Sequence, residues 1–455
     1  MWRSFIKSKI FGRIIVQGRY YVTAFILVIS IIVPYNKMKV TLINTTDAGG
    51  GAPAACMRLL KALVAKQVDA AMVVQEKKTT EPNVRNVTGK WTGRINFLRE
   101  RLPFIFFYEK NKSVRFAFSP ANAGNNISAD SEIADADVLH LHWTNSGFQS
   151  INNLKNLFAL NKPMVWTLHD MWAFTGGCHY SGGCNHFINQ CGDCWMLRNP
   201  QPDDLSHAGW LRKTSLFAAK NITVVTCSNW LADMARKSSL LKGCNIITIP
   251  NPINTHIFAP GNKAAIRKKR GIGVDSKVIL FGAANINDRR KGISYLVSAL
   301  NKLKNDYNPG ASIEVVIFGK NKHFDVSTLP FKVHELNIIT SENELAEIYS
   351  LADVFISPAI EDNLPNMVME AMSCATPVVA FNTGGIPDLV DHMKNGYLAL
   401  HKSSEDLAKG LHQMLFSGDA VNMSIEARNK VLANFTNEIV AKRYIDLYQS
   451  ITTNA

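Results

Sequence analysis

The stretch IEDNLPNMVMEAMS sets two adjacent acids, Glu361 and Asp362, just before Pro365, and a third, Glu370, about one turn into the helix that NMVMEAMS predicts. A carboxylate is an acceptor-only group suited to sugar hydroxyls, so the lip acids could hold one ring while Glu370 holds a vicinal diol such as a ribose. Unpaired N–H groups at the start of that helix favour an anion. The following loop, NTGGIP, repeats the device: Gly384 and Gly385 permit close backbone approach and Pro387 opens another helix. Each position alone also reads as a solvated loop or helix-face residue, with Asn363 a helix cap and the glycines mere turns. The combination is more specific than its parts.

Other residues of chemical interest are spread along the chain. Lys291 and Gly292 stand at the mouth of the helix GISYLVSALNKL, where a cation could neutralise phosphate, although a solvated basic turn fits DRRK too. Gly49, Gly50 and Gly51 join a first strand to a first helix in NTTDAGGGAPAACMRLL, without the G-x-G-x-x-G spacing of a dinucleotide site. His169 ends the buried-strand pattern PMVWTLH, and a strand's carboxyl end is where open parallel sheets bind ligands. A core histidine tied to Asp170 is the alternative. His140 and His142 share one strand face and read as structural, a substrate role for His142 being the lesser option.

Four of the eight cysteines, Cys178, Cys184, Cys191 and Cys194, fall close together with His179 and His186 among them. They supply enough soft ligands for a structural zinc, and reduced cysteines in an ordered loop are the other reading. Cys56, Cys227, Cys244 and Cys374 lie singly in apolar segments and read as core.

These residues need a frame. From Lys39 onward, β-branched runs alternate with helical patterns, which predicts βαβ units and parallel sheets. Strands are expected at KVTLINTT, AAMVVQE, DVLHLHW, PMVWTLH, ITVVTCS and NIITIPN, and again at KVILFGA, IEVVIFG, VHELNII, DVFISPA, PVVAF and GYLAL. Residues 77–114 fit the pattern poorly. The proline-interrupted stretch PNPINTHIFAPGNKAAIRKKRGIG divides the two sets as a linker. The α/β chain therefore reads as two doubly wound, Rossmann-like domains facing across a cleft: 38–250, with a cysteine-rich insertion over 176–200, and 251–430, with a closing helix in 431–455.

With its acid-bearing loop, NTGGIP and FGAANINDRRKGISYLVSAL, the second half resembles the donor domain of retaining GT-B glycosyltransferases of family four. WTLHDMWAFTGGCHY is similar to the bacterial capsule, exopolysaccharide and O-antigen members, and the resemblance covers about residues 38–450. It implies transfer of a hexose-type sugar from a UDP- or GDP-sugar to a lipid-linked saccharide acceptor, with retention of configuration and no cofactor required for the reaction. Glu370 takes the place of the ribose-binding acid. Glu361 takes that of the acid on the transferred sugar if one residue is inserted, and Asp362 is its rival at the family's uninterrupted spacing. His169 takes the donor-side histidine's place. Gly50, Gly51, Arg290, Lys291, Asn363, Leu364, Gly384 and Gly385 complete the donor site. The family's arginine before the lysine is Asn285 here, so Arg290 or Arg289 must supply the second cation.

Net charge is +14, and the first 37 residues, which hold Arg3, Lys7, Lys9, Arg13, Arg19 and Lys37 and no acid, carry much of it. The apolar run YVTAFILVISIIVPY among them is shorter than the roughly 20 residues that span a bilayer. An anchor or a start upstream of a true first residue at Met38 suits it better than secretion. The expected setting is the inner face of the cytoplasmic membrane, with peripheral contact to anionic lipid and no nucleic-acid partner. An epimerase or phosphorylase would share the double fold. A zinc-containing nucleic-acid-binding protein is the non-enzymatic rival, disfavoured because the basic residues are scattered.

Overall fold

The computed structural model describes residues 14–16, 19–21, 38–217, 222–307 and 310–453. Strands β1 (Ile14–Val16) and β2 (Arg19–Tyr21) pair antiparallel in a unit of their own. The remainder of the amino-terminal extension, with the anchor-or-start question, lies outside the described residues.

Residues 38–455 form the second unit, which contains two sheets. The first comprises β3 (Lys39–Thr46), β4 (Asp69–Glu76), β5 (Val84–Asn86), β6 (Val138–Leu141), β7 (Met164–Leu168), β8 (Ile222–Thr226) and β9 (Asn245–Thr248), in the order β5-β4-β3-β6-β7-β8-β9. The second comprises β10 (Lys277–Asn285), β11 (Ile313–Lys320), β12 (Lys332–Leu336), β13 (Val354–Ser357), β14 (Val378–Phe381) and β15 (Gly396–Ala399), in the order β12-β11-β10-β13-β14-β15. Every pairing in both is parallel. Helices cover both faces, so β6, β7, β8 and β14 are buried along their whole length and read as continuous apolar runs. Strand order reverses between β3 and β6 and between β10 and β13, which places a ligand crevice beyond the carboxyl ends of those strands in each domain.

The linker and the returning chain cross side by side: Ile253 N donates to Phe435 O and Asn437 N to Ile253 O. The final helix, Asn437–Thr453, then packs on the first domain's core, where Tyr444 and Tyr448 are buried with Leu59, Leu63 and Val225. Tyr448 OH bonds His140 Nδ1 at 2.7 Å, and Thr167 Oγ1 bonds both Tyr444 OH (2.8 Å) and His140 Nε2 (2.7 Å). His140 is thus a structural residue, as its strand position suggested. Among the described residues no helix is long and apolar enough to cross a membrane.

Residues 77–114, which the periodicity left undefined, hold β5, the helix α2 (Lys90–Pro103) and a wide turn over Phe104–Tyr108. The reason is physical. α2 buries Asn96, Glu100 and Arg101 and exposes apolar residues, which inverts the pattern that marks a core-facing helix.

Candidate active site

The glycine loop feeds α1 (Gly51–Ala65), whose first turn carries no acid and no side-chain cap, leaving its N–H groups open. Gly49 and Gly50 have φ of 93° and 151°, a region where only glycine sits without strain. Across from it, Pro365 starts the helix Asn366–Ser373, also uncapped by a side chain. The two helix starts face one another: Asn366 Nδ2 donates to Gly51 O at 3.1 Å, and Asn251 Nδ2 to Asn366 Oδ1 at 3.1 Å. Between them opens a cleft of about 1880 Å³, lined by Gly49–Gly51, His169, Arg290, Lys291, Asp362–Pro365 and Glu370.

In the acid loop the two candidates separate. Asp362 lines the cleft, buried, with Lys291 Nζ at 2.6 Å and Arg290 Nη1 at 3.6 Å. Burial alone would raise its carboxyl, but these two cations overcome that and hold it below the usual carboxylate range. Glu361 is outside the cleft lining. Its Oε2 accepts from Gly182 N in the cysteine-rich insertion, and burial raises its pKa. Of the two adjacent acids, Asp362 is thus the one in the cleft lining, while Glu361 is held by the insertion.

The NTGGIP turn lies directly on this loop. Gly385 N donates to Asp362 O at 3.0 Å, and a Cβ on Gly384 or Gly385 would come within 1.9 Å of Asp362 O or 1.7 Å of Asn363 O. Gly384 also has φ of 57°. These glycines set the height of the acid loop. Asn363 does not cap the helix: it lines the cleft, and its side chain donates through Nδ2 to Leu168 O and His169 O and accepts from Ser228 Oγ at 2.6 Å, tying the loop to the first domain. Leu364 lines the cleft beside it.

The two arginines offered as the second cation differ in position. Arg290 lines the cleft, stacks over the Tyr180 ring at 4.4 Å and donates to Glu361 O, whereas Arg289 is exposed outside it. Gly292 (φ 74°) lets the turn sit against Pro358 O, which a Cβ would meet at 1.9 Å.

Glu370 is buried and doubly held: Oε1 accepts from Arg58 Nη2 at 2.7 Å and Oε2 from Tyr349 OH at 2.8 Å. Sequence reasoning missed both partners. The available signal for Arg58 was a cation flanked by Met57 and Leu59 in the apolar part of α1, where Lys61 is the exposed one.

His169 lines the cleft, but its Nε2 is 3.0 Å from His142 Nδ1 and its Nδ1 lies 3.8 Å from Cys227 Sγ. Burial lowers its pKa to about 4, so it is neutral at physiological pH. Asp170 is not its partner; it accepts from Trp143 Nε1, Trp172 N and His179 Nδ1. His179 Nε2 in turn reaches Ser119 Oγ at 2.9 Å. That sequence of groups has the order of a nucleophilic triad, yet Ser119 is buried away from the cleft and receives a hydrogen bond from Arg101, so it braces the insertion.

The zinc reading finds no preassembled ligand set among the described residues. No group of three or more His, Cys, Asp or Glu side chains among the described residues is arranged to hold a metal ion, and all four cysteines are free. Cys191 packs in the first domain's main core with Phe187 and Leu216, while Cys194 packs in a separate cluster with Phe104 and Phe118. Cys191 Sγ accepts from Gly176 N, and burial raises the pKa of both thiols to about 11. Cys178 and Cys184 join no common ligand set with them.

Two doubly wound domains with a ligand cleft between their strand ends define a GT-B glycosyltransferase fold. The comparisons agree: the family Glycosyltransferase Family 4 matches residues 49–257, and Glycosyl transferases group 1 matches residues 276–416. The chain is a glycosyltransferase of this group 1/family 4 type. It is 24% identical over 264 residues to the alpha-maltose-1-phosphate synthase of Mycolicibacterium smegmatis, covering 54% of this chain and 67% of that one. It is 23% identical over 339 residues to the putative colanic acid biosynthesis glycosyl transferase WcaC of Escherichia coli, covering 69% and 75%. Matches of this kind span between 39% and 75% of the relatives' own length. In fold it is similar to Anabaena HepE, solved with UDP and glucose, at a TM-score of 0.59 and 14% identity over 91% of this chain and all of that one.

Proposed function

We propose that the enzyme moves a hexose from a nucleotide sugar to a lipid-linked saccharide acceptor with retention of configuration, in cell-surface polysaccharide assembly at the inner face of the cytoplasmic membrane. One observation carries the reading: the uncapped start of α1, the Arg290–Lys291 turn, Asp362 and Glu370 all line one cleft between the domains. Glu370, fixed by Arg58 and Tyr349, keeps lone pairs for a ribose diol. Lys291, Arg290 and the helix start meet the charge that grows on a departing diphosphate. Asp362 is placed to accept from hydroxyls of the transferred sugar, and neutral His169 lines the same cleft from the first domain. HepE's complex with UDP and glucose and the name of WcaC support the donor and setting respectively.

The test is incubation with a panel of nucleotide sugars and membrane-lipid acceptors, with the new linkage read by NMR. An α-linkage from an α-donor supports the reading. Release of free sugar or sugar phosphate without an acceptor would favour an epimerase or phosphorylase.

A further inference from the structure

In α2 and the turn after it, Trp91, Ile95, Leu98, Leu102 and Phe106 recur at helical spacing on one face, and that face is the one in solvent. Trp91 is 72% exposed and Phe107, at the end of the stripe, 70%. The polar residues point inward: Asn96 bonds Asn125, Glu100 accepts from Gly147 N, and Arg101 caps Phe118 O and Ser119. Such an inverted helix leaves its apolar side without a partner among the described residues.

Charge identifies the partner. Between residues 90 and 116 the exposed charged side chains are Lys90, Arg94, Arg99, Lys110 and Lys112, all cationic. The two acids of the segment, Glu100 and Glu109, are buried and paired with Arg101 and Arg115. Arg94 lies over the Trp91 ring at 5.6 Å, so cation and aromatic face outward together. A segment that exposes aromatic and aliphatic side chains with cations alone among its charges complements an anionic bilayer, where rings settle at the headgroup boundary and cations meet phosphates. A second copy of the chain would set these cations against one another.

The same helix reaches the cleft, where Lys90, Arg94, Phe97 and Leu98 are part of the lining. We propose that the exposed face of α2 and the Phe104–Tyr108 turn form the membrane-docking surface, holding the cleft mouth at the lipid headgroups. That this delivers the acceptor rests on the lipid-linked reading above; the docking surface itself does not.

The test uses the full chain, the double variants Phe106→Ser/Phe107→Ser and Trp91→Ser/Ile95→Ser, and vesicles of phosphatidylcholine with or without phosphatidylglycerol. Expected is co-sedimentation with the anionic vesicles, reduced about tenfold or more in either variant, and protection of residues 90–108 from hydrogen exchange when those vesicles are added. Nucleotide-sugar binding stays at the wild-type level, which separates loss of docking from failure of the glycosyltransferase reading. The proposal is overturned if the variants sediment like wild type, if residues 90–108 gain no protection, or if light scattering shows a vesicle-free dimer that the variants abolish.

Discussion

Arg58, on the first helix of the first domain, donates through Nη2 to Glu370 of the second domain at 2.7 Å and to Glu342 at 2.9 Å, so a single guanidinium spans the cleft. Burial alone would lower its pKa, and the two carboxylates, Glu370 foremost, more than reverse that. The pair fixes the carboxylate assigned to the ribose.

Removing one member of a buried ion pair leaves the other charge uncompensated. Arg58→Ala is therefore expected to lower stability by about 3 kcal/mol, and Arg58→Ala/Glu370→Gln by less than Arg58→Ala alone. Glu342 is more than a third exposed, so Glu342→Gln should cost under about 1 kcal/mol. Denaturant unfolding of the four proteins checks this ordering.

Lys291 is the cleft cation placed at a helix mouth beside Asp362. Lys291→Ala should reduce kcat/KM by roughly a hundredfold to a thousandfold, the scale for losing one preorganised charge stabiliser. Arg290→Lys should also impair turnover, because an ammonium does not reproduce the guanidinium stacked on Tyr180. Steady-state kinetics on a cognate donor reads both.

The neighbouring acids should differ sharply. Asp362→Asn is expected to lower kcat about a hundredfold or more, whereas Glu361→Gln, whose parent contacts Gly182 outside the cleft, should change it less than about tenfold. Equal losses would place Glu361 in the reacting site.

Stability should fall with acid through a histidine cluster. His140, His142 and His169 lie in a row with ring centroids 4.2 and 5.3 Å apart, and burial lowers His140 to about 3 and His169 to about 4, with His142 well below its ordinary 6.5. In the unfolded chain they bind protons near pH 6.5, so below that the unfolded state holds more protons. Their contribution is complete above pH 6.5 and is lost as pH falls toward 4, by up to roughly 1.4 kcal/mol per pH unit for each. Melting temperatures from about pH 8 to about pH 5 should show this slope, reduced by about one proton in His169→Gln.

Much of the fold was legible because strands buried on both faces leave continuous β-branched runs, as in KVILFGA and PVVAF. β5, short and at a sheet edge, left no such trace, and α2 was hidden by its inverted polarity. Lys291, Glu370 and the pair Glu361–Asp362 were visible as types at near-fixed spacing, but which of the two adjacent acids lines the cleft was not: the sequence favoured Glu361, and Asp362 is the one in the lining. Arg58 and Tyr349 were not, because they meet Glu370 only after α1 and the helix Glu342–Leu351 have packed around it. The cysteine spacing left the packing open: Cys191 joins the first domain's main core, whereas Cys194, with Cys178 beside it, joins a separate apolar cluster.

Calorimetric titration of UDP-, GDP- and ADP-sugars into wild type and Glu370→Gln tests the donor site most directly. Expected is saturable binding of at least one nucleotide sugar to wild type, weakened about tenfold or more in the variant with its fold intact, the scale of a lost charge-assisted hydrogen bond. Equal affinity in both proteins, or no binding of any member to wild type, would contradict a nucleotide sugar held between α1 and the Glu370 helix.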